Sequence, residues 1–392
     1  MLSKFVLTLF IARFMGFEVL GLYGLILSAT FLIPSFTGLG IMYMKNRSAV
    51  TQSPSEIVAM LYCYRRLIAF IYFFLIMIAG ISGLYLDKIW LCLVIVFVVL
   101  FEHINNDFYT LLLNRLKPLA ANILHFIRTS IWIFLFMVIA YFYPDYREIE
   151  ILLLFWMFGS ALALLGFFIV NRHWPWRQER QACCLRSWIK EEFKKSKTIY
   201  LNNMVDSSGQ YANHFLVTFF LGLELTGVYV FFMQIISAMS NLLRTGVIQT
   251  ARPKLVSAHK NKESSFTALY NKCINQTLFF SVFMALISFP AMYYITAYIV
   301  DKPLALEWFP IFVVNLVLFC VLMLREADQS VLYSYHRDDL ILKLSLLNIT
   351  GLVLISILLI PLFSLWGVAT SLLLMEIIVF LTQRKFIKGL VS

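Results

Sequence analysis

The residues able to do chemistry in this chain are polar groups standing inside long apolar stretches. Between 198 and 220, Asn203, Asp206, Gln210 and Asn213 step by three and four, with Asn202, Ser207 and His214 beside them. That spacing lays a polar stripe along one face of a helix, where it either lines a wet cavity or packs on other polar helices. Two other segments carry a similar load: Glu102, His103, Asn105, Asn106 and Asp107 in one, and Arg325, Glu326, Asp328 and Gln329 in the other. Arg128, Arg244, Lys343 and Glu376 complete the set. An ionisable group at mid-bilayer costs about 2.5–3.5 kcal/mol on the insertion scale, so each needs a partner, water or a function. Asp206, Glu102, Asp107, Glu326 and Asp328 are the acidic groups that need one of these. Arg128, Arg244 and Arg325 would attract phosphate, for which arginine is the favoured bidentate partner, if they face a cavity. The alternative is that these charges are structural pairs that pin helices together; Arg325 and Asp328, at i and i+3, are spaced to meet.

Nothing in the sequence offers a reaction to go with these groups. There is no phosphate-cradling glycine loop, no HExxH, no nucleophile elbow and no dinucleotide fingerprint. No enzyme, cofactor or metal site is expected. The six cysteines show no CxxC or Cys/His metal spacing and read as free thiols, Cys183 and Cys184 included.

The elements that position the polar groups follow from composition. Of 392 residues, 61% are hydrophobic and 14% charged, whereas a soluble domain is roughly 45–50% apolar and about 25% charged. The chain is therefore read as an all-α polytopic membrane protein. About twelve spans can be drawn: a short one to Ala12, then 19–44, 66–86, 89–113, 119–143, 150–171, 198–220, 225–250, 273–300, 308–334, 340–360 and 364–383. An even number of spans puts both termini on one side, and basic residues choose the side. With the termini inside, only Arg13, Lys88, Arg147 and Lys302 fall outside. The net charge of +11 is thus a marker of orientation, and nucleic acid is not an expected partner. The lipid bilayer is.

The chain also repeats itself. Phe14-Met-Gly-Phe-Glu-Val-Leu-Gly-Leu-Tyr23 aligns without a gap on Phe220-Leu-Gly-Leu-Glu-Leu-Thr-Gly-Val-Tyr229, so that Gly16, Glu18, Gly21 and Tyr23 fall on Gly222, Glu224, Gly227 and Tyr229. The same offset of 206 carries Gly40 onto Gly246. Six spans per half enter the membrane in the same sense, which predicts two six-helix lobes related by a parallel pseudo-two-fold axis. The expected division is 1–171 for the first lobe, 172–197 for a cytoplasmic linker and 198–392 for the second lobe. Leu185, Trp188, Ile189 and Phe193 give the linker an amphipathic helix suited to the inner leaflet. The offset maps the start of the seventh span upstream of Met1, so the first span reads as cut short and the natural start as lying earlier.

The run Ala12 to Tyr23, followed by a helix closing on Gly38-Leu39-Gly40-Ile41, resembles the opening of the polysaccharide biosynthesis protein family. These are the O-antigen and lipid-linked oligosaccharide flippases of the multidrug/oligosaccharidyl-lipid/polysaccharide exporter superfamily. Asp107-Phe108, Leu113-Asn114-Arg115 and Ala121-Asn122 are similar too, and the doubled six-helix plan extends the resemblance over the whole chain. Phe17 stands where that family usually has proline, and Leu20 where it usually has an aromatic residue.

The resemblance implies a MATE-like fold and a flippase of the bacterial inner membrane. Such a protein carries undecaprenyl-diphosphate-linked oligosaccharide outward by alternating access, coupled to H+ or Na+, beside polysaccharide polymerase machinery. Under it, Arg128, Arg244 and Arg325 would hold the diphosphate, Asn203, Gln210, Asn213 and His214 would line the sugar path, and Asp206, Glu102, Asp107, Glu326 or Asp328 would bind the coupling ion. A multidrug exporter of the same fold, and more remotely a membrane-embedded glycan polymerase, are the alternatives. The outer loops are short, the longest running between Tyr143 and Glu150, which leaves no platform for a polymerase.

Overall fold

A computed structural model describes residues 2–176, 185–261 and 265–391, with the backbone alone for Leu2, Arg47, Asp206, Leu390 and Val391. Cys183, Cys184 and the middle of the expected linker lie outside the described residues. Among those described there are helices and no strands. In order they are α1 (Leu2–Phe14), α2 (Phe17–Thr37), α3 (Ile41–Ser48), α4 (Pro54–Tyr85), α5 (Ile89–Asn114), α6 (Pro118–Phe126), α7 (Trp132–Phe142) and α8 (Ile149–Val170). Then come α9 (Leu185–Leu243), α10 (Gln249–Lys260), α11 (Phe266–Tyr294), α12 (Pro303–Glu307), α13 (Pro310–Ser334), α14 (Asp338–Phe363) and α15 (Leu365–Val391). Among the described residues, ten helical stretches are long and apolar enough to cross a membrane. One of them holds two expected spans, because α9 is broken at Gly222 (φ 82°, ψ 178°). With the 13-residue α1, these account for the twelve expected spans of a multi-pass membrane protein.

The described residues form two compact units, 26–207 and 1–25 with 208–392. In the first, α4, α5 and α8 pack around Ile57, Leu61, Ile68, Leu111 and Phe167. Ser53 caps α4 in a reciprocal capping box with Glu56. The amphipathic stretch of the linker is the opening of the α9 rod. Its Leu185, Trp188 and Ile189 are half-buried against this protein core, and Lys45 Nζ pairs with Glu192 at 2.7 Å. In the second unit α13 packs on α15 and α11, and α14 on α15, around Leu332, Leu344, Leu352 and Val379.

The repeat has a backbone counterpart. Gly16 and Gly222 both take positive φ, 95° and 82°, a region where a side chain is strained, so each lets one helix end and the next begin with almost no loop. Asp87 and Asp301, each followed by lysine, share φ near 50°, as do Leu116 and His336. Gly40 and Gly246 do not match in conformation: Gly40 is left-handed (φ 65°) before α3, whereas Gly246 lies inside a π-helical turn. Cys63 is disulfide-bonded, correcting the free-thiol reading for that residue; Cys92, Cys273 and Cys320 are free. Sequence spacing shows which thiols are near in the chain, not which are near in space.

Candidate functional site

In the unit 26–207, α5 presents its polar residues to three neighbours. Glu102 Oε1 accepts from Trp156 Nε1 at 3.0 Å and from Ser160 Oγ at 2.7 Å, both on α8. Its other oxygen lies 3.4 Å from Nε of Arg128, and Arg128 Nη2 donates to Asn106 Oδ1 at 2.9 Å. Arg128 is carried by a π-helical turn, Ile127–Ile131, between α6 and α7. Such turns add a residue to the helix and often mark functional positions. The indole of Trp132, stacked on Trp156, returns its N–H to the Arg128 carbonyl. On the other side of α5, His103 is held between two tyrosines of α4, Tyr64 OH at Nε2 and Tyr72 OH at Nδ1, each 3.1 Å away. Tyr64 also donates to Asp107 Oδ2 at 3.0 Å.

The unit 1–25 with 208–392 treats its charges the same way. Arg244 stands in a π-helical turn, Arg244–Ile248, and grips Glu326 of α13 with two nitrogens, Nε to Oε2 at 2.7 Å and Nη2 to Oε1. Its Nη1 donates to Asn241 Oδ1 at 3.0 Å. Arg325 pairs with Glu376 of α15. Asp328 accepts from Tyr270 OH at 2.7 Å and pairs with Arg384 Nε at 3.1 Å, so Arg325 and Asp328 use partners on other helices despite their i, i+3 spacing. All three arginines proposed to hold phosphate are thus engaged by carboxylates. They differ in access: the side chains of Arg128 and Arg325 are 6% and 15% exposed, that of Arg244 35%.

The stripe on α9 is divided between the two units. Asn203 is half-buried, Gln210 exposed and Asn213 buried, and the ring of His214 lies 5.1 Å from that of Tyr229. The side chain of Asp206 lies outside the described residues.

The repeated segments themselves meet. A Cβ added at Gly21 would lie 2.0 Å from the carbonyl oxygen of Leu223, and one added at Gly227 would lie 1.9 Å from that of Phe17. The two contacts are images of each other at the offset of 206, and only backbones without side chains can approach so closely. Phe17 and Phe231 close edge to face at 5.9 Å beside the crossing.

Sequence reasoning passed over several of these groups. Tyr64 and Tyr270 stand at the same offset of 206, and each donates to an aspartate on the next long helix. The signal was present but fell outside the aligned segment. Trp156 and Ser160 carried none. Among the described residues no three His, Cys, Asp or Glu side chains gather to hold a metal ion.

No family model matches the chain, and no curated protein matches it. Solved structures do. A multidrug resistance MATE family transporter of the MOP superfamily, in an inward-facing conformation, is 13% identical, with 99% of this chain and 94% of that one covered and a TM-score of 0.76. The lipid II flippase MurJ, inward closed, is 13% identical over 99% of this chain and 85% of its own, also at 0.76. The MATE multidrug transporter DinF-BH is 15% identical over 99% and 91%, at 0.64. At these identities the likeness is one of architecture, and the chain has a MATE-like fold.

Proposed function

We propose that the chain is a flippase that carries an undecaprenyl-diphosphate-linked oligosaccharide across the bacterial cytoplasmic membrane by alternating access, coupled to an H+ or Na+ gradient. The observation that carries this reading is Arg244, an arginine inside the apolar part of the chain whose guanidinium stays partly open. Arginine cannot present its charge to hydrocarbon, so the open side meets water or an anionic cargo. Arg128 and Arg325, closed by Glu102 and Glu376, serve as helix-to-helix pins in this scheme. On the orientation read from the basic residues, Glu18 and Glu224 lie at the outer surface, and the Gly21–Gly227 crossing is the outer closure that has to part in each cycle. Sugar hydroxyls would meet Gln210, Asn213 and His214 of α9, and Asp107 would take the coupling ion.

The second reading is a multidrug exporter, favoured by the equal likeness to a multidrug transporter and to a flippase. Deleting the gene in the cell that makes the protein separates them. The flippase reading expects surface glycan to disappear while lipid-linked units accumulate on the cytoplasmic face. Normal surface glycan together with hypersensitivity to cationic dyes would replace it with the exporter reading.

A further inference from the structure

We infer that Arg244 and Glu326 form an exchange site, in which the diphosphate of the cargo displaces the carboxylate from the guanidinium and the displaced Glu326 takes up a proton. The inference rests on the flippase reading and adds what its anion site does. Its basis is the shape of the pair. Glu326 offers two oxygens to two nitrogens of one guanidinium edge, the same two-pronged arrangement that a phosphate offers. The resident carboxylate therefore stands in for the cargo and keeps Arg244 neutralised while the site is empty.

Access sets this pair apart from the other two. Arg244 is the most open of the three arginines, while its partner Glu326 is 14% exposed. A phosphate can therefore approach from the arginine side and leave the carboxylate behind in a poorly hydrated place. A half-buried carboxylate stripped of its cation is costly as an anion, and protonation removes the cost. The proton comes from the water that admits the cargo and returns to water when Glu326 recaptures Arg244, so one negative charge fewer is carried per diphosphate bound.

The helices packed against α13 carry other charged groups, several of them engaged elsewhere. Glu376 of α15 is engaged by Arg325, and Arg384 of α15 and Tyr270 of α11 are engaged by Asp328. Arg252 of α10 reaches Ser330 at 3.5 Å and lies over the Tyr333 ring. Cys273 of α11 is buried, and Lys343 is on α14.

The test is binding of farnesyl diphosphate to the purified full-length protein in detergent between pH 6.5 and 8.5, with inorganic pyrophosphate and farnesol as further probes. Wild type is expected to bind farnesyl diphosphate more tightly as pH falls, by up to about tenfold per unit beyond any change in the ligand, the slope for one proton. Glu326→Gln should bind about tenfold or more tightly at pH 8.5 and lose that excess slope, since the ligand's own titration is common to both proteins. Arg244→Gln should lose binding by at least about tenfold, and the double variant Arg244→Gln/Glu326→Gln, which leaves no unpaired charge, should fold and stay weak.

Unchanged slope in Glu326→Gln, or unchanged affinity in a folded double variant, overturns the exchange and leaves the flippase reading standing. Equal affinity for pyrophosphate and farnesyl diphosphate supports the exchange but counts against a lipid cargo. Absence of diphosphate binding in wild type and Glu326→Gln alike overturns both.

Discussion

Replacing Gly227 by leucine is expected to abolish transport, reducing it at least tenfold, while the protein still reaches the membrane. The reason is geometric. A Cβ at this position would stand 1.9 Å from the Phe17 carbonyl oxygen, whereas real Cβ atoms keep 3.0 Å or more, so the helices must part by more than 1 Å even for alanine. The obstacle is backbone, which has no rotamer to yield. Leucine adds a branched side chain to that clash, and the closure proposed for the outer end cannot re-form. The effect is readable independently of transport. Leu20 is fully buried beside the crossing, so a cysteine placed there should resist a membrane-impermeant maleimide in the parent and react from outside in the Gly227→Leu background. Gly21→Leu should behave alike, because its added Cβ meets the Leu223 carbonyl in the mirrored contact. Transport undiminished in either variant would remove the crossing from the cycle.

The second large effect concerns Glu102. Its replacement by alanine is expected to cost about 3–5 kcal/mol, the penalty for leaving a buried charge without its partner. Arg128 would lose its carboxylate, and Trp156 Nε1 and Ser160 Oγ their acceptor. Little of the variant should survive extraction into mild detergent. The double variant Glu102→Gln/Arg128→Met should recover most of the loss, because glutamine keeps an acceptor for Trp156 and Ser160 and methionine fills the volume of the lost arginine. Thermal unfolding of the purified single and double variants reads the coupling. Full transport by the double variant would confirm Glu102 and Arg128 as pins; a stable protein without transport would assign them to the cycle instead.

Much of this was legible in the amino-acid sequence, and what escaped did so for physical reasons. Gly16, Gly21, Gly222 and Gly227 announced the repeat because backbone geometry leaves them no substitute: two need positive φ and two need the absence of a side chain. The Tyr64–Asp107 and Tyr270–Asp328 pairs repeat as well, yet the tyrosines are 206 residues apart and the aspartates 221. Changes in segment length between the long helices broke the register that made the first match visible. Gly40 and Gly246 failed in the opposite way, agreeing in sequence and differing in backbone. The arginines could be placed within the apolar helices but not matched to their partners, since Arg325 and Glu376 are 51 residues apart and Arg244 and Glu326 are 82. Helical periodicity describes one helix at a time and is silent on which face meets which. The amphipathic opening of α9 shows the same limit, its apolar face being evident and its neighbour not.

Reconstitution separates a diphosphate-linked glycolipid cargo, as proposed, from a cationic drug. Purified protein in vesicles, given a fluorescent short-chain polyprenyl-diphosphate oligosaccharide in both leaflets, should let an external reducing agent bleach essentially all of the label. Protein-free vesicles should stop at the outer half, and an ion gradient should change the rate. Movement of a cationic dye with the glycolipid left in its leaflet would make the protein a drug exporter instead.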